Sequence, residues 1–251
     1  MDKANRPRMS TAELLGTTWQ VWRLHAGMFV LLMGISIAML GLFSLIVNYV
    51  IAPHPAGAPL RETWLGMGFL QKLFVSLGFF ACLAVHFRTL AASAFATQEI
   101  RSERCVGILR AFGSVRRKQL RLFWILTLVS LLANPLGPLA WILYPILVFA
   151  ITPAFPVAIL ENRTVFAAIK RGDALAKGGQ GRIALLVALW LGLGIVSVFA
   201  GVSLLMILQE RFGQPWFLRP VPILGFWLIL LIPQLYVIAL TLNYLEQRGR
   251  E

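Results

Sequence analysis

The chain has 251 residues, of which 59% are hydrophobic and only 13% charged, with a mean hydropathy of +0.78. So little polar surface could not cover a water-soluble protein of this size, which excludes a soluble globular fold. The net charge of +13 lies in the intervals between apolar runs and not in a basic domain of its own, which excludes a nucleic-acid reader and points to retention at an anionic membrane surface.

In chain order, the basic start Met1 to Arg8 is followed by Ser10-Thr-Ala-Glu13, a capping-box pattern. Leu15, Trp19, Trp22 and Ala26 then recur at helical spacing and predict a short amphipathic helix. The first long apolar run, 28–52, is about twice the length of a signal-peptide core and reads as a retained membrane span. A turn from Pro53 to Pro59 leads to a second span over 73–96. A second amphipathic pattern follows, with Cys105, Ile108, Leu109, Phe112 and Val115 as its apolar stripe and Arg116, Arg117 and Lys118 at its exit. Spans over 119–134 and 139–160 flank a turn at Asn134-Pro-Leu-Gly-Pro138. Val165, Ala168, Ile169, Gly172 and Leu175 form a third stripe, bordered by Lys170, Arg171 and Lys177, before the last two spans over 183–208 and 221–245.

These elements predict an all-α fold, a single transmembrane domain over residues 1–251. Six transmembrane helices form the bundle, with three short amphipathic helices at the cytoplasmic interface and a weak internal repeat of one short helix and two spans. Lys and Arg cluster before span one, after spans two and four, and at the chain end, while the alternate loops hold few. The positive-inside rule then places both termini in the cytoplasm. Pro145, Pro153 and Pro156 in span four and Pro233 in span six each remove a backbone donor and predict kinks, with Gln234 and Asn243 as nearby polar partners. Gly34-x-x-x-Ala38, Ala188-x-x-x-Gly192 and Ser197-x-x-x-Gly201 place small residues one turn apart, where helices within one chain can approach closely.

No reactive centre is visible. None of the six spans holds Asp or Glu in its core; Glu99, Glu161, Glu210 and Glu246 stand at or beyond span ends, which argues against an ordinary ion-coupled carrier. There is no Gly-x-Ser-x-Gly elbow, no His-Glu-x-x-His pair and no phosphate-cradling Gly-Lys-Ser loop. His25, His54 and His86 are scattered, and Cys82 and Cys105 lie in different settings, so neither a metal nor a disulfide is expected. The least ordinary intramembrane groups are His86 and Arg88. Arg88 lies about 22 Å below Leu73 at 1.5 Å per residue, near the inner boundary of the hydrocarbon. Snorkelling or a bond to a carbonyl is its ordinary role; an anion or lipid-headgroup site with His86 as second donor is the functional alternative. Arg116, Arg117, Lys118, Lys170 and Arg171 on the short helices are the further headgroup candidates, against the plainer reading that these helices only connect spans.

The segment Pro153-Ala-Phe-Pro-Val-Ala-Ile-Leu-Glu-Asn162, with Val165-Phe-Ala-Ala-Ile-Lys-Arg171 and Leu175-Ala-Lys-Gly178, resembles a passage of a broad group of prokaryotic polytopic membrane proteins. The closing Leu240-Thr-Leu-Asn-Tyr-Leu-Glu-Gln-Arg-Gly-Arg250 is similar to their last span. That group includes the membrane domain fused to some glycerophosphodiester phosphodiesterases and many stand-alone members of unknown function. The resemblance implies a polytopic fold but not the phosphodiesterase activity, which needs a separate soluble domain with its own His and carboxylates. The resulting expectation is a multi-pass protein of a prokaryotic inner membrane, not an enzyme, with no cofactor. It scaffolds or assists a membrane-protein partner or handles lipid, with anionic headgroups as its lipid partners. The alternative is a permease or channel-like component for a lipid-like or anionic solute, for which a polar path through the bundle would speak and a dry interior would not.

Overall fold

The computed structural model describes residues 9–51, 68–115, 152–177, 179–212 and 221–250, and all regular structure among them is helical. The elements are α1 (Thr11–Leu24), α2 (Ala26–Ile51), α3 (Phe69–Arg101), α4 (Ile108–Ser114), α5 (Ala154–Leu160), α6 (Val165–Ala176), α7 (Gln180–Phe212) and α8 (Val221–Arg248). Among the described residues, three helical stretches are long and apolar enough to cross a membrane: Ala26–Phe43, Phe69–Arg101 and Gln180–Ser197, with mean hydropathies of 2.3, 1.7 and 1.6. The third expected span, the first part of the fourth, and Arg116, Arg117 and Lys118 lie outside the described residues.

Local sequence accounts for where the helices start and stop. Ser10 caps α1 through its hydroxyl, which accepts from the Glu13 N–H at 3.2 Å, while Glu13 Oε2 accepts from the Ser10 N–H at 2.5 Å. These bonds hold the exposed Glu13 carboxyl below its usual range, the Ser10 backbone contact being the largest cause. A lowered folded value means that this contribution is present above the unfolded value and is lost as pH falls through the folded one. Ser10→Ala is expected to cost about 1 kcal/mol of helix stability, read as faster amide exchange over the first turn of α1. α3 ends in a Schellman motif: the Arg104 N–H donates to Glu99 O and the Glu103 N–H to Ile100 O, each at 3.0 Å, with Glu103 in the left-handed region at φ 57° where glycine is usual. Asn162, also at φ 57°, turns the chain after α5 and is a residue type that tolerates this conformation. Pro153 stands at the N-cap of α5 and Pro156 in its first turn. They start a helix there, because a first-turn residue has no intrahelical acceptor for the N–H that proline lacks.

Packing pairs establish how the helices run. Going outward along α2 and backward along α3, Ser36 meets His86, Met39 meets Cys82 and Phe43 meets Gly78, so the two are antiparallel. α8 touches α7, α3, α1, α2, α5 and α6 and is the axis of the bundle. The core joins Ala91, Ala92, Ala94 and Ala96 of α3 to Val237–Leu240 and Leu242 of α8, with Leu14, Phe29, Leu32, Val157, Ile159 and Ala168 around them. The alanines let α3 and α8 approach closely. At the other end of α3, Phe69 and Leu70 are exposed, as lipid-facing side chains are.

One of the three predicted stripes is rotated against the core, and a second is met in part. α1 buries Leu14 and Thr18, while Leu15 and Trp19 face outward. α4 turns Ala111 and Val115 inward, with Ile108 and Phe112 beside them, and leaves Leu109 and Cys105 exposed. α6 packs on its expected face, burying Ala168, Gly172 and Leu175. Gly34 and Gly192 of the small-residue motifs meet nothing within 4 Å of an added Cβ, so among the described residues they serve no close helix contact. The close approach is made instead by Gly78 against the Phe43 ring and by Gly172 against the backbone at Pro153 and Ala154.

Candidate functional site

The helix ends where the cations gather are organised around three nearly buried carboxylates. Glu99, in the last turn of α3, has a side chain only 8% exposed and lies 3.7 Å from Arg104 and 3.9 Å from Arg110 of α4. Glu161 closes α5; its Oε1 accepts from the Tyr244 hydroxyl at 2.8 Å, and Arg163 and Arg171 of α6 approach at 3.4 and 3.7 Å. Glu246, near the end of α8, accepts from Arg182 Nη1 at 2.6 Å, from Arg250 Nη2 at 2.8 Å and from the Met9 N–H at 2.9 Å. Arg182 also donates to Asn243 Oδ1 at 3.1 Å and to the Met9 carbonyl. Each carboxylate ends a helix and binds the chain at or in a short amphipathic helix: α4 for Glu99, α6 for Glu161, and the approach to α1 for Glu246. Buried charges hold when paired and hydrogen-bonded; Glu161 and Glu246 are both, and these two fix the chain they bind, whereas Glu99 is ion-paired only and its Oε2 has no hydrogen-bond partner among the described residues.

Deeper in the bundle a seam of polar side chains crosses α2, α3 and α8. Ser36 Oγ and His86 Nδ1 are 2.9 Å apart. Thr89, Ser93 and Thr97 return their hydroxyls to α3 carbonyls. Gln234 Nε2 donates to Phe29 O at 2.8 Å and to Ser93 Oγ at 3.1 Å. The Ser93 proton is committed to Thr89 O at 2.9 Å, so its oxygen is free to accept. Gln234 is 3% exposed, and its Oε1 has no hydrogen-bond partner among the described residues. Gln234 thus joins three helices; it does not repair the donor lost at Pro233.

Among the described headgroup candidates, His86 and Arg88 do not converge. His86 faces α2, whereas the Arg88 Nε donates to the Phe112 carbonyl at 3.0 Å and its guanidinium lies 4.0 Å from the centre of the Phe112 ring. Arg88 therefore ties α4 to α3, as its ordinary reading requires. Arg171 belongs to the Glu161 clamp, and Lys170 is exposed. Sequence reasoning passed over Glu99, Glu161, Glu246 and Arg182 as binding elements, because it sought carboxylates inside the spans. The available signal was the placement of each Glu at a helix end beside a short basic helix.

No group of three or more His, Cys, Asp or Glu among the described residues is placed to hold a metal ion. Chemically, the clamps offer paired charges and the seam offers donors and acceptors, among them the Ser36 hydroxyl within hydrogen-bond reach of the His86 ring. Comparison of the chain with protein-family models, curated proteins and solved structures gives no match.

Proposed function

We propose that this is a non-catalytic, six-span protein of a prokaryotic inner membrane with both termini in the cytoplasm, which engages anionic lipid and serves as scaffold or accessory to a membrane-protein partner. The observation that carries this reading is the set of three carboxylate clamps. They commit the carboxylates at these helix ends to fastening short basic helices onto the bundle, an arrangement suited to presenting a surface and not to turning over a substrate. The recurrence of a carboxylate clamp at or before each of the three short helices supports a repeat of three units. Exposed cations beside the clamps, Lys170 among them, suit anionic headgroups, each worth about 1 kcal/mol near such a surface.

Native mass spectrometry after gentle extraction tests it. The expected result is a stoichiometric membrane-protein partner or a retained anionic phospholipid, reduced several-fold when Arg116, Arg117, Lys118 and Lys170 are changed to Gln. Recovery of neither, or recovery of both unchanged in that variant, overturns the reading. The second reading, a permease for an anionic or lipid-like solute, is favoured by the unpartnered Gln234 Oε1 within the seam. The closely packed alanine core beside it counts against an open path.

A further inference from the structure

Between α1, α7 and α8 lies a groove of about 180 Å3, walled by Leu15 and Trp19 of α1, Leu189 and Leu193 of α7, and Leu235 and Tyr236 of α8. The two hydroxyls in its lining are already engaged: Thr18 Oγ1 donates to Leu14 O at 2.8 Å, and the Tyr236 hydroxyl pairs with Thr152 Oγ1 at 2.8 Å. With both hydroxyls engaged and the rest of the lining Leu, Ile, Ala and Trp, an occupant bound there gains chiefly apolar contact. Two aromatic stacks stiffen the walls, Trp190 on Tyr236 and Trp19 on Trp22, each with ring centres 5.2 Å apart. Of its lining, Leu189 and Leu193 are exposed at the mouth, and Leu185 and Val196, exposed too, flank them on a helix long enough to cross a membrane. Hydrocarbon is therefore the medium at the mouth. The volume is slightly larger than the roughly 150 Å3 cavity that holds one benzene ring, which suits a segment of one chain and excludes a whole lipid.

Apolar contact alone does not hold a lipid in a bilayer, since the surrounding tails are equally apolar. Charge supplies the difference. Arg23 is exposed and stands one helical turn beyond Trp19, on the same face of α1. We propose that the groove seats one acyl chain of an anionic phospholipid whose headgroup Arg23 holds. This rests on the lipid-binding reading above and gives it a location away from the residues first expected to carry it.

The full chain is reconstituted in vesicles of phosphatidylglycerol and phosphatidylethanolamine in equal parts, extracted gently and weighed by native mass spectrometry. The wild type is expected to retain one phosphatidylglycerol. Leu189→Trp, which fills the groove from a half-exposed wall and leaves the core alone, lowers that adduct at least tenfold. Leu193→Trp does the same from the neighbouring turn and serves if the first variant fails to fold. Arg23→Gln keeps an adduct but loses the preference for phosphatidylglycerol. A folded groove-filling variant that retains the lipid as the wild type does overturns the proposal. If that adduct is instead lost on neutralising Arg116, Arg117, Lys118 and Lys170, the groove is wrong and the lipid-binding reading stands. A wild type that carries a protein partner and no lipid likewise overturns the groove alone.

Discussion

Glu246→Ala is expected to cost about 3–5 kcal/mol, the range for removing one partner of a buried ion pair. The side chains of Arg182 and Glu246 are only 13% and 12% exposed. Without the carboxylate, Arg182 is left with the Asn243 amide and the Met9 carbonyl, neither of which carries charge, and the Met9 N–H loses its acceptor. Thermal unfolding in detergent measures the loss, and a double-mutant cycle with Arg182→Met separates the pair from its surroundings. The double variant is expected to recover most of the stability, since replacing both charges with apolar groups removes the desolvation cost together with the attraction. A loss under about 1 kcal/mol for Glu246→Ala would instead class the pair with solvent-screened surface bridges.

Gly172→Ala is expected to destabilise the chain by about 1–3 kcal/mol through overpacking. An added Cβ would lie 2.7 Å from Ala154 N and from Pro153 C, and 2.9 Å from Pro153 O. These are backbone atoms beside a proline, with no rotamer by which to yield, so α6 must lift away from α5. Lifting α6 also draws Arg171 from Glu161, 3.7 Å away. Gly34→Ala is the control, because nothing lies within 4 Å of its added Cβ and alanine gains up to about 1 kcal/mol of helix propensity. Unfolding midpoints shifted in opposite directions are the expected outcome; equal shifts would sink the account of Gly172.

The sequence made the helical character and three helices of membrane-crossing length legible, because length and apolar content determine both. It also made the start of α1 legible, since Ser10 and Glu13 form a local reciprocal cap. Which face of a short helix turns inward was not legible in α1, and in α4 it was legible for Ile108, Phe112 and Val115 but not for Leu109. In a protein bordered by lipid, Leu15 and Trp19 facing hydrocarbon look the same in sequence as Leu14 facing the core, so apolar periodicity marks a helix without marking its inside. Nor was the Arg182–Glu246 pair legible, being made by two residues 64 positions apart in sequence. Gly172 stood in the predicted stripe, but its reason for being glycine is a backbone contact with another helix that periodicity does not encode. His86 and Arg88 drew notice through rarity in an apolar run, and their two-residue spacing on a helix sends them to different neighbours.

The length of α3 has a consequence for the medium in which this protein folds. Its 33 residues make a rod of about 50 Å at 1.5 Å per residue, against a hydrocarbon slab of about 30 Å. Even a tilt of about 40°, the steep end for membrane helices, leaves roughly 38 Å along the normal. One turn or more of α3 therefore stands in the headgroups or in water, and Glu99 and Arg101 mark which end that is. The alanine-lined junction with α8 runs toward that end, so two kinds of cohesion meet along one helix. Tail-embedded stretches cohere by van der Waals fit and polar seams, whereas the emergent collar gains from withdrawing its apolar atoms from water, the contribution that leaves a heat-capacity signature.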